Sequence, residues 1–180
     1  MSNKSRNPTE FIQYIRRLAK QGEPGAQFVL VYYLSSQENA NKYRQQCLEL
    51  LYKLSEQGNS MADYVLGNWH IYGLGVKKDY KKAFKYFLSA AQKGHPAAQH
   101  DVGISFEKGA GTTRSLRNAV KWYRKSAEQG DPSGQAEIGL CYYQGVGVPR
   151  DIKKAIFWYK KAAKKGNLDA KRALAKLYKK

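Results

Sequence analysis

A glycine recurs every 36 residues along almost the whole chain, and this period constrains the fold more than any other feature of the sequence. The segments that contain it are similar to one another: "QGEPGAQ", "QGNSMAD", "KGHPAAQ", "QGDPSGQ" and "KGNLDAK". The repeated glycines are Gly22, Gly58, Gly94, Gly130 and Gly166. A chain with this period is expected to form an array of similar units, each of which packs on its neighbours.

Within each repeat, the spacing of the apolar residues indicates two helices. Four residues after the glycine comes a small side chain, and four residues later a larger apolar one, which is the spacing of one helix face. These two columns are Ala26, Ala62, Ala98, Gly134 and Ala170, then Leu30, Leu66, Val102, Ile138 and Leu174. A second helix carries Cys47, Ala83, Ala119 and Ala155, followed by bulky pairs such as Trp122-Tyr123. Each repeat is therefore predicted to be a hairpin of two helices of about 13 residues.

The repeats predict an all-α chain of about ten antiparallel helices in a single domain, residues 1–180. Residues 8–21 are a half repeat and residues 22–57 a degenerate repeat. Residues 58–93, 94–129 and 130–165 are three full repeats, and residues 166–180 form a terminal capping helix.

Three G-x-G pairs raise the question of a phosphate-binding loop. They are Gly73 and Gly75, Gly109 and Gly111, and Gly145 and Gly147. A nucleotide site would need a preceding strand or a Gly-Lys-Ser/Thr ending, and neither context is present. Because the pairs keep the repeat phase, they are predicted to form the turn between the two helices. Asp79, Ser115 and Asp151 follow at one phase and are predicted to cap the second helices.

Segments such as "AEIGLCYYQGVGVPRDIKKAIFWYKKAAKKGN" resemble the Sel-1-like repeat, a relative of the tetratricopeptide repeat. The resemblance implies an α-solenoid, a right-handed superhelix, that binds other proteins as an adaptor, often in bacteria, with no reaction common to the family. Three departures are visible. His70 replaces a tyrosine, "GAGTTRS" loses a valine and an aspartate, and the degenerate repeat, residues 22–57, lacks the G-x-G turn.

If the first helices line a concave face, as in the tetratricopeptide relatives, their non-core residues face a groove. The groove is expected to be aromatic and nearly uncharged at its middle, which suits a protein-binding site. The alternative is that several of these rings fill the seam between helices. The predicted partner-binding residues are Phe28, Tyr32, Tyr64, Asn68, Tyr72, His100, Tyr143 and Gln144.

Positive charge is concentrated on the second helices. The chain has a formal net charge of +18, and residues 150–180 hold 12 basic and 2 acidic side chains. The predicted basic outer face comprises Lys81, Lys82, Lys85, Arg117, Lys121, Arg124, Lys125, Lys153, Lys154, Lys160 and Lys161. Three interpretations stay open: a solvated helix face, a site for an acidic protein partner, and a site for nucleic acid or an anionic membrane surface. The last is the least favoured, because the aromatic rings are expected on the other face.

Several classes of protein are disfavoured. No apolar run has the length of a signal peptide or a membrane span, which predicts a cytoplasmic protein without a transmembrane segment. Cys47 and Cys141 have no metal-ligand spacing and are predicted to be structural thiols. No nucleophile or carboxylate pair accompanies His70, His95 and His100; His70 falls in a core column and His95 is expected to be exposed beside a turn. A non-enzyme without metal or cofactor is predicted.

The functional hypothesis is a protein-interaction module or adaptor, with a bacterial immunity or regulatory protein as one form of it. The partner is expected to be an acidic protein. The alternative is nucleic-acid or anionic-surface binding through the basic outer helices. The sequence leaves the oligomeric state open.

Overall fold

The structure is a computed structural model that describes residues 8–35 and 40–178, with side chains described for residues 12–34 and 42–178. These residues form ten helices, as the repeat predicts. They are α1 (Pro8–Lys20), α2 (Pro24–Ser35), α3 (Ala40–Glu56), α4 (Ser60–Tyr72), α5 (Tyr80–Gln92), α6 (Pro96–Lys108), α7 (Leu116–Glu128), α8 (Pro132–Gln144), α9 (Ile152–Lys164) and α10 (Leu168–Tyr178). The chain divides into two compact units, unit 1 (Met1–Lys78) and unit 2 (Asp79–Lys180).

Unit 1 contains α1 to α4, in which each helix packs on the next along the chain. Its core consists of the predicted columns, with Leu30, Cys47 and Leu66 all buried. Helix α3 is longer than predicted, at 17 residues. The predicted absence of a G-x-G turn in this repeat falls on residues 36–39, which lie outside the described residues.

Unit 2 contains α5 to α10, again as successive antiparallel helices. Its buried residues follow the predicted small-and-large pattern, for example Ala155 under Tyr159 and Ala98 beside Val102. A hydrogen bond that the sequence analysis did not predict recurs between repeats. The buried amides of Gln99 and Gln135 donate to main-chain carbonyls of the preceding second helix, Ala91 O at 3.1 Å and Ala127 O at 3.2 Å. These bonds join the second helix of one repeat to the first helix of the next.

The predicted caps are confirmed. The side chains of Asp79, Ser115 and Asp151 accept hydrogen bonds from main-chain amides in the first turns of α5, α7 and α9, at 3.0, 3.3 and 2.9 Å. His70 is buried, as expected. The exposed position predicted for His95 is wrong: the side chain is half-buried and caps α6, because its Nδ1 accepts from the amide of Ala98 at 3.2 Å.

The G-x-G pairs are turns, and the last pair shows why both glycines are needed. Gly145 ends α8 with φ of 75° and Gly147 has φ of 68°, in the left-handed region that favours glycine. A Cβ on Gly147 would also lie 2.7 Å from the main-chain oxygen of Leu116 in the preceding repeat. The turn therefore packs directly on its neighbour, which accounts for the glycines in structural terms.

Candidate protein-binding site

The first helices of the repeats in unit 2 form one face of the unit. Helix α6 contacts α8, and α8 contacts α10, although each pair is separated in sequence by a second helix. The second helices α5, α7 and α9 show no comparable contacts among the residues that the structure describes. Helices that approach each other on one side and diverge on the other make the first side concave. We call the surface of α6, α8 and α10 the concave face of unit 2.

Two adjoining cavities open on this face. The first, of about 340 Å³, lies among α6, α8 and α10; it is lined by His100, Glu137, Leu140, Tyr159 and Asp169, together with small side chains. The second, of about 410 Å³, shares Leu140, Tyr159 and Asp169 and continues along α8 and α10. Ala173 is also shared, and the other lining residues of the second cavity are Tyr143, Arg172, Lys176 and Leu177. Such volumes lie near the lower end of ligand pockets, roughly 300–1,000 Å³.

Tyr159 lines both cavities although it belongs to α9, a second helix that is not part of the concave face. Its ring lies against Gly139 of α8, where a Cβ would be only 2.8 Å from the Tyr159 Cδ1 atom. Burial raises the pKa of Tyr159 to about 12, with a further contribution from the negative charge of Glu137. Tyr123 lies in the same way against Gly103 one repeat earlier, and its hydroxyl donates to Glu107 Oε2 at 2.6 Å.

The concave face of unit 2 carries both acidic and basic side chains, where a nearly uncharged groove was expected. Burial, and then repulsion from Glu107 and Asp169, raise the pKa of Glu137, while His100 opposes this effect. Burial opposes protonation of His100, but its hydrogen bond to Asp101 at 3.2 Å and nearby carboxylates outweigh that effect and raise its pKa. The prediction of a nearly uncharged groove is therefore wrong for this unit.

The eight predicted partner-binding residues fall into the two units. In unit 2, His100 and Tyr143 line the cavities, whereas Gln144 is exposed at the end of α8. In unit 1, the side chains of Phe28, Tyr64 and Asn68 are half-buried on α2 and α4. Tyr32 and Tyr72 are 75% and 70% exposed.

Glu137, Tyr159 and Asp169 also line the cavities, although none of them was predicted as a site residue. A signal existed for Glu137: it occupies the same repeat column as Asp101, seven residues after the repeated glycine. Tyr159 was assigned to the core as a second-helix residue. Its access to the other face depends on the glycine above it, which a helix pattern does not reveal.

The predicted basic outer face is exposed at all eleven of its residues. The expectation that aromatic rings lie only on the other face is wrong. Phe157 and Tyr80 are 51% and 46% exposed on α9 and α5. The ammonium of Lys161 lies 4.6 Å from the centroid of the Phe157 ring, and that of Lys125 lies 4.3 Å from the centroid of the Trp122 ring. Lysines and aromatic rings are thus interleaved on these helices.

Both cysteines are buried and free, so neither is paired in a disulfide. Within residues 8–35 and 40–178, no group of three His, Cys, Asp or Glu side chains has the arrangement of a metal site. In the same part of the chain, no helix has both the length and the apolar character needed to span a bilayer.

Comparison with known proteins identifies relatives of this fold. The Sel1 repeat profile matches residues 60–95, 96–131 and 132–167. The c5321 protein, a protective antigen present in uropathogenic Escherichia coli strains that displays an SLR fold, is 36% identical with a TM-score of 0.88; the match covers 93% of this chain and 36% of that one. A Sel1 repeat protein from Oxalobacter formigenes is 31% identical with a TM-score of 0.88, over 97% of this chain and 71% of that one.

Cysteine rich protein B of Helicobacter pylori shares the fold at 22% identity and a TM-score of 0.57, over 76% of this chain and 96% of that one. No curated protein matches the chain. The predicted all-α solenoid of helical hairpins and the predicted family resemblance are confirmed by these matches.

Proposed function

This chain belongs to the Sel1 repeat family, and we propose that it is a non-catalytic protein-binding module whose unit 2 holds a segment of a partner protein on its concave face. Sel1 repeat proteins generally mediate protein–protein interactions, and the family is a class of repeat scaffold. The finer assignment, which surface binds and what it binds, is our proposal.

One observation carries it: two adjoining cavities open on the concave face and share Tyr159 and Leu140. Tyr159 is only 4% exposed and is held against α8, whereas Leu140 is 37% exposed. A rigid ring at the base of a cavity and an accessible apolar side chain at its wall are the anchors that peptide-binding grooves use. The predicted contact residues of unit 1, among them Tyr32 and Tyr72, stay a separate prediction.

The test is site-specific cross-linking in the source cells. A photoreactive phenylalanine analogue replaces Leu140 in one variant and Phe157, on the outer face, in a second. We expect a discrete cross-linked protein from position 140 and none of that size from position 157. We also expect the product to disappear when Tyr143 is changed to Ala in the position-140 variant. The same product from both positions, or a product that survives Tyr143→Ala, would contradict the proposal.

A second candidate function uses the basic outer face to bind an anionic partner, either nucleic acid or an acidic protein. The observation in its favour is the interleaving of lysines with the rings of Phe157 and Trp122, because stacked rings and cations together bind single-stranded nucleic acid. Reversal of charge at Lys153, Lys154, Lys160 and Lys161 should abolish binding of a fluorescent oligonucleotide if this candidate is right. Absence of binding by the unchanged protein at about 200 mM salt would exclude the nucleic-acid form.

An immunity role is a special form of the first proposal, in which the bound partner is a toxin. It predicts that coexpression with the product of a neighbouring gene relieves the toxicity of that product. Loss of the protection in a Tyr143→Ala variant would connect it with the concave face. If that variant protects as well as the unchanged protein does, the immunity role does not use the concave face.

A further inference from the structure

Glu137 lies on the concave face of unit 2 among several other charged groups. Two carboxylates that repel the Glu137 carboxylate, those of Glu107 and Asp169, are each paired with another side chain. Glu107 accepts the hydroxyl of Tyr123 at 2.6 Å, and Asp169 lies 3.4 Å from the guanidinium of Arg172. In the part of the chain that the structure describes, no side-chain hydrogen bond or ion pair engages the carboxylate of Glu137.

The charged groups that surround Glu137 come from the two other helices of the face. Helix α6 contributes His100, Glu107 and Lys108, and α10 contributes Asp169. Arg172 and Lys176 line the adjoining cavity. A half-buried carboxylate that has no hydrogen bond or close ion pair is costly, because it has lost part of its hydration. The attraction of His100 and Lys108 at longer range opposes this cost but does not remove it. A cation bound at this point would remove that cost.

The cavity around Glu137 also has walls that suit the carbon stem of a long side chain. Leu140 and Tyr159 offer apolar and aromatic surface, and the small side chains of Ala136, Ala170 and Ala173 leave room beside them. Arginine and lysine combine an apolar stem with a cationic head, and their heads also bind favourably against aromatic rings.

We propose that the partner segment held on the concave face presents an arginine or lysine side chain in this cavity, with its cationic head on the Glu137 carboxylate and its stem against Tyr159 and Leu140. This inference rests on the proposed protein-binding function and adds the chemistry of the occupant. It also differs from the sequence-based expectation of an acidic partner, which considered only the outer face.

The net charge of +18 does not prevent this binding. The basic residues are concentrated on the second helices, and a helix with its side chains is about 10 Å across. At physiological salt, charges are screened over about 8 Å. A bound cation on the concave face therefore interacts mainly with the nearby carboxylates and less with the outer lysines.

The experiment selects peptides from a random heptapeptide library displayed on phage, with the full chain as the target. Parallel selections use Glu137→Gln, which keeps the shape of the side chain, and Glu128→Gln as a matched control. Glu128 is an exposed carboxylate on α7, so its replacement changes the net charge equally. Circular dichroism verifies that the three proteins are equally folded. We expect peptides with a central Arg or Lys from the unchanged protein and from Glu128→Gln, but not from Glu137→Gln.

A selected peptide is then synthesised with arginine or with citrulline, its uncharged analogue. A charge-assisted hydrogen bond predicts that citrulline weakens binding to the unchanged protein about tenfold to a hundredfold, and that Glu137→Gln binds both peptides equally weakly. Basic peptides that bind Glu137→Gln normally would overturn the inference. Peptides without a basic residue that require Leu140 would overturn it while leaving the proposed function intact. If none of the selected peptides depends on the cavity for binding, the result would contradict both the inference and the proposed function.

Discussion

Replacement of Gly147 by alanine should destabilise the protein for two separable reasons. First, the residue has φ of 68°, where a side chain costs about 1–2 kcal/mol. Second, the new Cβ would lie 2.7 Å from the main-chain oxygen of Leu116 and 2.9 Å from Cγ2 of Val120. The oxygen belongs to the backbone of α7 and cannot rotate away, and such overpacking costs about 1–3 kcal/mol. The expected total is about 2–5 kcal/mol.

The chain supplies a matched control at Gly166. Its φ is 92°, and a Cβ there would meet nothing within 4 Å, so Gly166→Ala should show only the backbone cost. Both substitutions restrict the unfolded chain equally, so that effect cancels in the comparison. The measurement is urea unfolding followed by circular dichroism, with the difference read from the midpoints at equal slope. Equal losses in the two variants would refute the claim that the turn packs tightly on the preceding repeat.

Three further predictions follow from single contacts. Tyr123→Phe should lower the free energy of unfolding by about 1–2 kcal/mol, because Glu107 loses a hydrogen bond of 2.6 Å at a half-buried site. Urea unfolding measures this loss, and an unchanged midpoint would contradict the prediction. The pKa of Asp151 is lowered by the hydrogen bonds from the amide and ammonium of Lys154, so the stability it contributes is present above about pH 4 and is lost as the pH falls through the lowered pKa. Melting temperatures should therefore fall less in acid for Asp151→Asn than for the unchanged protein, and parallel curves would disprove the linkage. Burial, and then the charges of Glu137 and Glu107, raise the pKa of Cys141 to about 12, and Cys47 is buried as well. Neither thiol should therefore react with a thiol reagent at pH 8 until the chain is unfolded, and rapid labelling of the native protein would contradict this prediction.

The helices, their caps and their turns could be predicted because they depend on local chemistry. The capping roles of Asp79, Ser115 and Asp151 follow from the needs of unpaired amides within one turn of each residue. The repeat period supported each of these predictions several times over, since each position could be compared with its counterparts 36 residues away. His95 does not point into solvent as expected, because its side chain accepts a hydrogen bond from the main-chain amide of Ala98 in the first turn of α6.

The chemistry of the candidate site was less predictable, because it depends on which helix faces reach the same space. Helical spacing predicts Tyr159 in the core, and the side chain is buried. Its ring also lines the cavities because it packs closely against Gly139, and helical spacing does not predict that contact. Helical spacing likewise did not bring Glu137 of α8 together with His100 of α6 and Asp169 of α10, which lie 37 and 32 residues away along the chain.

The sequence alone therefore determined the secondary structure, the hairpin repeat and the family, because these follow from periodic contacts that recur in every repeat. The tertiary structure decided that unit 2 has a concave face with half-buried carboxylates, and that aromatic rings accompany the lysines of its outer helices. The physical reason is that burial and electrostatic coupling depend on distances between side chains of different helices. Those distances arise only when the repeats pack together.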